Sequence, residues 1–151
     1  MSILRNMLAA AVLCAVPLLS VPQAQAQPPN DGGCRQGGVM TGRLIPGTGS
    51  AGQSIRREVT LSGCVSPLLP GITAGQFGVS IPWNATTAPT TATFRWSDGS
   101  VSTAGGYGNG AWLITAGPAT GHGIQLNAAD TWVGWYLSPV DVAVTSAVFV
   151  S

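Results

Sequence analysis

The chain has 151 residues, a mean hydropathy of +0.32 and only 7% charged side chains, against about a quarter in ordinary globular domains. Six arginines, no lysine and five acids leave a formal net charge of +1. That balance excludes the counterion-releasing surface that nucleic-acid binding requires, and it cannot steer strongly charged partners.

The N-terminus reads as a secretory signal peptide over residues 1–26. Arg5 supplies the positive charge, residues 7–19 an apolar run, and Ala24-Gln25-Ala26 a small-residue cleavage site. The apolar run is too short for a membrane span, and no later stretch approaches the required length. Cys14 lies inside this run behind Leu13, which does not resemble a lipoprotein cleavage site, and it is expected to leave with the signal. Residues 27–33 form a Pro/Gly-rich flexible leader, and residues 34–151 are expected to make a single domain.

In chain order, residues 39–45 form a weak strand candidate. Next, Ile55, Arg57, Val59 and Leu61 alternate with Arg56, Glu58, Thr60 and Ser62, the period of a half-buried strand. Arg57 is the awkward member of the inner face, which suggests an edge position. Residues 77–81 are a further candidate. Ala92, Phe94 and Trp96 alternate with Thr91, Thr93 and Arg95, and Asp98-Gly99 follows as a hairpin turn into residues 100–103. Residues 111–115 and 123–126 are weaker candidates. Residues 131–137 are read as a strand with Trp132 and Tyr136 on one face and Val133, Trp135 and Leu137 on the other. The last run, 141–150, puts Val142, Val144, Val148 and Val150 on one face and Ala143, Ala147 and Phe149 on the other. About eight short strands at regular spacing, all 21 glycines following Ala26 and no helical period predict an all-β fold. The architecture is either an antiparallel β-sandwich, Ig-like or similar, or a small barrel.

Cys34 and Cys64 remain after cleavage, and in an oxidising compartment an isolated pair is most simply one disulfide. Gly47-Thr48-Gly49-Ser50-Ala51-Gly52 spells G-x-G-x-x-G, but an alternating run rather than a helix follows, so it reads as a hairpin loop. His122 is the sole histidine. No serine has a nucleophile context to pair with it, and one histidine makes a metal site improbable. Asp98, Asp130 and Asp141 sit at turns and strand ends, where acids are ordinary turn formers. Asn84-Ala85-Thr86 matches the N-glycosylation triplet, a common chance pattern. No catalytic, cofactor or metal residue is therefore assigned.

Five tryptophans are unusual for so small a core. Trp96 and one of Trp132 and Trp135 read as core. The exposed subset of Trp83, Trp112, Trp132 and Trp135, with Tyr107 on a glycine-rich loop, is the candidate ligand-binding surface. Flat rings beside Asn and Gln are the usual means of gripping sugars.

The segment Thr91-Ala-Thr-Phe-Arg-Trp-Ser-Asp-Gly-Ser-Val-Ser102, with Leu61-Ser-Gly-Cys64 and the cysteine thirty residues before it, is similar to small secreted β-rich proteins of high-GC Gram-positive bacteria without an assigned function. The resemblance covers most of residues 34–151. It implies export and a β-sandwich and carries no catalytic residues.

The expectation is thus a secreted or envelope-associated, non-enzymatic all-β protein with one disulfide. Its partner would be a cell-wall or other glycan, or a second copy of itself. A carbohydrate-binding module, a self-assembling surface protein and a small hydrolase using His122 are the alternatives.

Overall fold

The computed structural model describes residues 31–48, 52–83 and 89–151. Residues 1–26, read above as a signal peptide, most of the segment read as a leader, residues 49–51 of the glycine motif and the triplet at 84–86 lie outside the described residues.

Among the described residues nine strands form one antiparallel sheet: β1 Gly33–Gly37, β2 Val39–Ile45, β3 Ser54–Val65, β4 Ala74–Pro82, β5 Thr90–Trp96, β6 Val101–Gly106, β7 Ala111–Ala116, β8 Gly123–Ala128 and β9 Val142–Val150. From β2 to β9 each strand pairs with the next, and β9 pairs back onto β2 through Val39↔Ala143 and Met40↔Val142. Eight strands therefore close an up-and-down barrel. The ninth, β1, lies in the same lane as β2, between β3 and β9, with Gly38 between them. Of the two architectures open to the sequence, the pairing gives the barrel; the sheet closes on itself instead of splitting into two packed layers. Closure leaves no free strand edge in the ring, the usual template for unwanted pairing.

An eight-stranded barrel has an interior just wide enough to be filled by side chains, and alternation supplies them. Ile55, Val59, Leu61, Phe77, Ile81, Ala92, Phe94, Trp96, Ile114, Ile124 and Phe149 all point inward and are buried. Aromatic rings form the centre. Phe77 meets Phe94 at 5.1 Å and Trp112 at 5.4 Å, and Phe94 stacks on Trp96 at 5.3 Å. A polar break toward the β5–β6 turn is satisfied internally: the Trp96 indole N–H donates to Ser102 Oγ (2.8 Å), which donates to Pro118 O (2.7 Å). Apolar-inside, polar-outside alternation is the reverse of that in a membrane-spanning barrel. Among the described residues no helix is long and apolar enough to cross a membrane.

One end, here called the lower, is closed by the β3–β4 connection, whose Leu69 and Ile72 are buried. The Cys34–Cys64 disulfide ties the directly opposed residues of β1 and β3 there. At the same end Asp98-Gly99 makes the expected turn: Gly99 has φ +87°, and Asp98 Oδ1 accepts from Ser100 N at 2.9 Å.

Three sequence expectations need correction. First, Arg57 does face inward, but it is not at an edge: β3 has neighbours on both sides and Arg57 is 1% exposed. Second, β9 does not keep one face. Its pairing with β8 shifts register between Asn127 and Ala128, and this bulge reverses the alternation. Val142 and Val144 point inward before it, and Ala147 and Phe149 after it, so Val148 and Val150 face out. Third, residues 131–137 are not a strand. Asp130 (φ +53°) and Gly134 (φ +77°) adopt left-handed backbone, and Trp135–Leu137 winds into one 3-10 turn. β1, by contrast, had no counterpart in the period-two reading, because Gly33-Cys34-Arg35-Gln36-Gly37 alternates nothing apolar against anything polar.

Candidate functional site

The upper end of the barrel carries the β2–β3, β4–β5, β6–β7 and β8–β9 connections, as the registers Ile45↔Ser54, Thr90↔Gly106, Gly106↔Trp112 and Ala128↔Val144 require. The last of these connections, residues 129–141, folds across the mouth as a plug. Trp135 is its buried element. It lies 5.1 Å under the Arg57 guanidinium and 5.9 Å edge-on from Tyr136.

Arg57 holds the plug. Nε donates to Tyr136 O (3.1 Å), Nη1 to Val140 O (3.2 Å), and Nη2 to both Trp135 O (2.8 Å) and Ser138 O (2.6 Å). Four of the five guanidinium N–H groups thus meet main-chain carbonyls, three of them at the C-terminal end of the 3-10 turn, where the carbonyl dipoles favour a cation. Burial lowers the Arg57 pKa from its ordinary value, against a raising contribution from Asp141; an arginine remains charged through such a shift. The plug also rests on β2. A Cβ at Gly42 would lie 2.7 Å from Val140 O, so only glycine admits the contact.

Asp141 closes the plug from outside. Its Oδ1 accepts from Gly42 N (3.0 Å) and from Arg43 Nη1 (2.7 Å). The Gly42 N–H, and then the Arg43 guanidinium, hold its carboxyl below the usual carboxylate range. A depressed folded-state pKa contributes stability that is complete above the unfolded-state value and is lost as pH falls through the folded one. Asp141→Asn is therefore expected to flatten the acid limb of a stability–pH curve below about pH 4, read by urea unfolding at successive pH values. An unchanged acid limb would count against this account.

The five aromatic candidates separate. Trp112 is 4% and Trp135 7% exposed, so both belong to the interior, while Trp83 (43%), Tyr107 (53%) and Trp132 (48%) are exposed. All three of these stand at the upper end, on the successive β4–β5, β6–β7 and β8–β9 connections. Val133 beside Trp132 is fully exposed, and Leu44, Ile45 and Val140 add exposed apolar surface at the same rim. Exposed apolar side chains concentrated at one end of a barrel are candidates for a contact surface.

The loop under Tyr107 needs its glycines. Gly108 (φ +81°) lies so close to Ile81 that a Cβ would fall 2.8 Å from its Cδ1, and Gly110 (φ +99°) would fall 2.9 Å from Leu126 O. Beyond this loop, between Asn109 and the plug, lies an open cleft of about 170 Å³ lined by Asn109, Gln125, Asn127, Thr131 and Trp135. Inside the barrel, beneath Trp135, lies a void of only about 10 Å³, at most the room of a single water. Among the described residues the interior beneath the plug is therefore filled by side chains.

The reactive side chains are dispersed. His122 stands at the lower end with Nδ1 3.3 Å from Thr120 O. Asp98 is also there, whereas Asp130 and Asp141 are at the upper end. No group of three or more His, Cys, Asp or Glu suited to a metal occurs among the described residues. β3 follows the glycine motif directly, as the hairpin reading requires. The sequence reading passed over the plug and the polar cleft. The one signal for the plug was Arg57 itself, a cation in an otherwise apolar period.

Comparison of the chain with protein-family models, with curated proteins and with solved structures gives no match in any of the three.

Proposed function

We propose that this is an exported, non-enzymatic protein that binds a partner at or outside the cell envelope through the upper end of its barrel. The observation that carries the reading is the placement of Trp83, Tyr107 and Trp132, all exposed, on three successive connections around one rim. Amphipathic rings of this size supply much contact area at low entropic cost, which is why they dominate binding surfaces. The filled interior directs binding to the rim and away from a chamber. Export is supported by the signal-like leader and by the disulfide, a bond that persists in oxidising compartments.

The test is co-sedimentation of the secreted chain with purified peptidoglycan and with insoluble wall polysaccharide. Trp83→Ala, Tyr107→Ala and Trp132→Ala combined should weaken retention about tenfold or more while leaving the unfolding midpoint near wild type, since all three side chains are exposed. Retention equal to wild type would overturn the reading.

A further inference from the structure

We propose that the cleft between the β6–β7 loop and the plug is a subsite for one neutral sugar unit. This rests on the reading of the upper end as a binding surface and names its ligand class as uncharged carbohydrate.

Part of the polar lining of the cleft is already engaged within the protein. Gln125 Nε2 donates to Leu126 O at 3.0 Å, so its carbonyl oxygen has no partner among the described residues. Asn109 Oδ1 accepts from Ala111 N at 3.4 Å, which leaves its NH₂ group uncommitted. Asn127 uses Nδ2 on Ser146 Oγ at 3.0 Å, leaving Oδ1. The Thr131 hydroxyl has no partner among the described residues either. The cleft thus offers acceptors and donors side by side around the edge of an immobilised indole. A sugar hydroxyl both donates and accepts from one oxygen, and it suits such a set.

Charge points the same way. No ionisable side chain lines the cleft. Of the charges nearby in the fold, Arg57 gives four of its five N–H groups to carbonyls, Arg43 is paired with Asp141 at 2.7 Å, and Asp130, exposed beside Thr131 in the chain, is not part of the lining. Neither an anionic nor a cationic ligand would meet a counter-charge among the lining residues.

Shape narrows the class further. About 170 Å³ is below the roughly 300 Å³ at which ordinary small-molecule pockets begin, so one ring enters and the rest of a chain lies on the aromatic rim. An extended peptide would be captured most simply by adding to a sheet edge, and the closed ring offers none. The β9 bulge at Thr145 lies opposite the Asn127–Ala128 step, and bulges are common beside sites.

The experiment is a tryptophan-fluorescence and calorimetric titration of the full secreted chain with four neutral tetrasaccharides, built from glucose, xylose, mannose and N-acetylglucosamine. Phosphatidylcholine vesicles and an unrelated extended peptide form the other arms. Saturable binding of at least one tetrasaccharide is expected. Asn109→Asp keeps the acceptor for Ala111 N and replaces the free donor with an acceptor. It and Gln125→Ala should each weaken that binding about tenfold. Tetrasaccharide binding that ignores both variants yet is lost in the Trp83→Ala/Trp132→Ala protein would overturn the subsite and leave the rim as the binding surface. Binding only to vesicles or to the peptide would overturn the sugar assignment, as would no tetrasaccharide binding at all. Wall retention that survives the rim substitutions would remove the broader reading by itself.

Discussion

Arg57→Met is expected to lose about 3–5 kcal/mol of unfolding free energy, on the order of what two or three unsatisfied main-chain carbonyls cost. Methionine would keep the length of the stem but abandon four carbonyls at 2.6–3.2 Å. Two effects oppose each other here. Removing a buried charge recovers its desolvation cost, which is why swapping a whole ion pair for apolar groups can be neutral. The partners of Arg57, however, are main-chain carbonyls that no side-chain substitution can delete; Trp135 O keeps Ser138 N as a donor, but the plug must either bury the other three unpaired or lift away to meet water. Each unpaired carbonyl costs about 1–3 kcal/mol, and lifting the plug exposes Trp135. A red-shifted tryptophan emission should therefore accompany the lost stability. Arg57→Lys restores the charge but has three donors on one nitrogen for four carbonyls, and should fall between methionine and wild type. A methionine variant with wild-type stability and emission would show that the plug does not depend on the guanidinium.

The second large effect is expected on removing the disulfide. Cys34 and Cys64 are 30 residues apart, and closing a loop of that length restricts the unfolded chain by about 3.5 kcal/mol in the entropy model. The Cys34→Ala/Cys64→Ala protein should unfold on the order of 10 °C lower. The loss has a local signature too. β1 is five residues long and pairs with β9 at only Gly33↔Val148 and Cys34↔Ala147. Without the covalent tie its amides should exchange faster than those of β4 or β5. Uniform exchange with no fall in midpoint would mean that β1 is held by pairing alone.

These two sites also show how far the residues speak locally. The disulfide was legible from arithmetic, because a leader ending at Ala26 would take Cys14 with it and leave Cys34 and Cys64 only each other. The period-two runs gave β3, β5 and the Asp98-Gly99 turn nearly to their ends, since alternation and left-handed tolerance are properties of adjacent residues. The run at 131–137 misled for the same reason. Its Trp, Val, Tyr and Leu have strand propensity, but Asp130 and Gly134 break the extended backbone and Arg57, more than seventy residues away in sequence, gathers its carbonyls. The bulge in β9 was equally invisible: Thr145 and Ser146 are unremarkable residues, and only the partner strand shows where the extra one falls.

The amino-acid order by itself therefore settled the class of structure, the turns and the covalent tie, because each depends on short-range backbone preference or on composition. The tertiary structure alone decided that the sheet closes, that Trp112 and Trp135 are interior while Trp83, Tyr107 and Trp132 stand on one rim, and that the amides of Asn109, Gln125 and Asn127 share a cleft. Those outcomes depend on pairing β9 with β2, about a hundred residues apart along the chain. Alternation fixes which side of its own strand a side chain occupies, and it is silent on which other strands share that side.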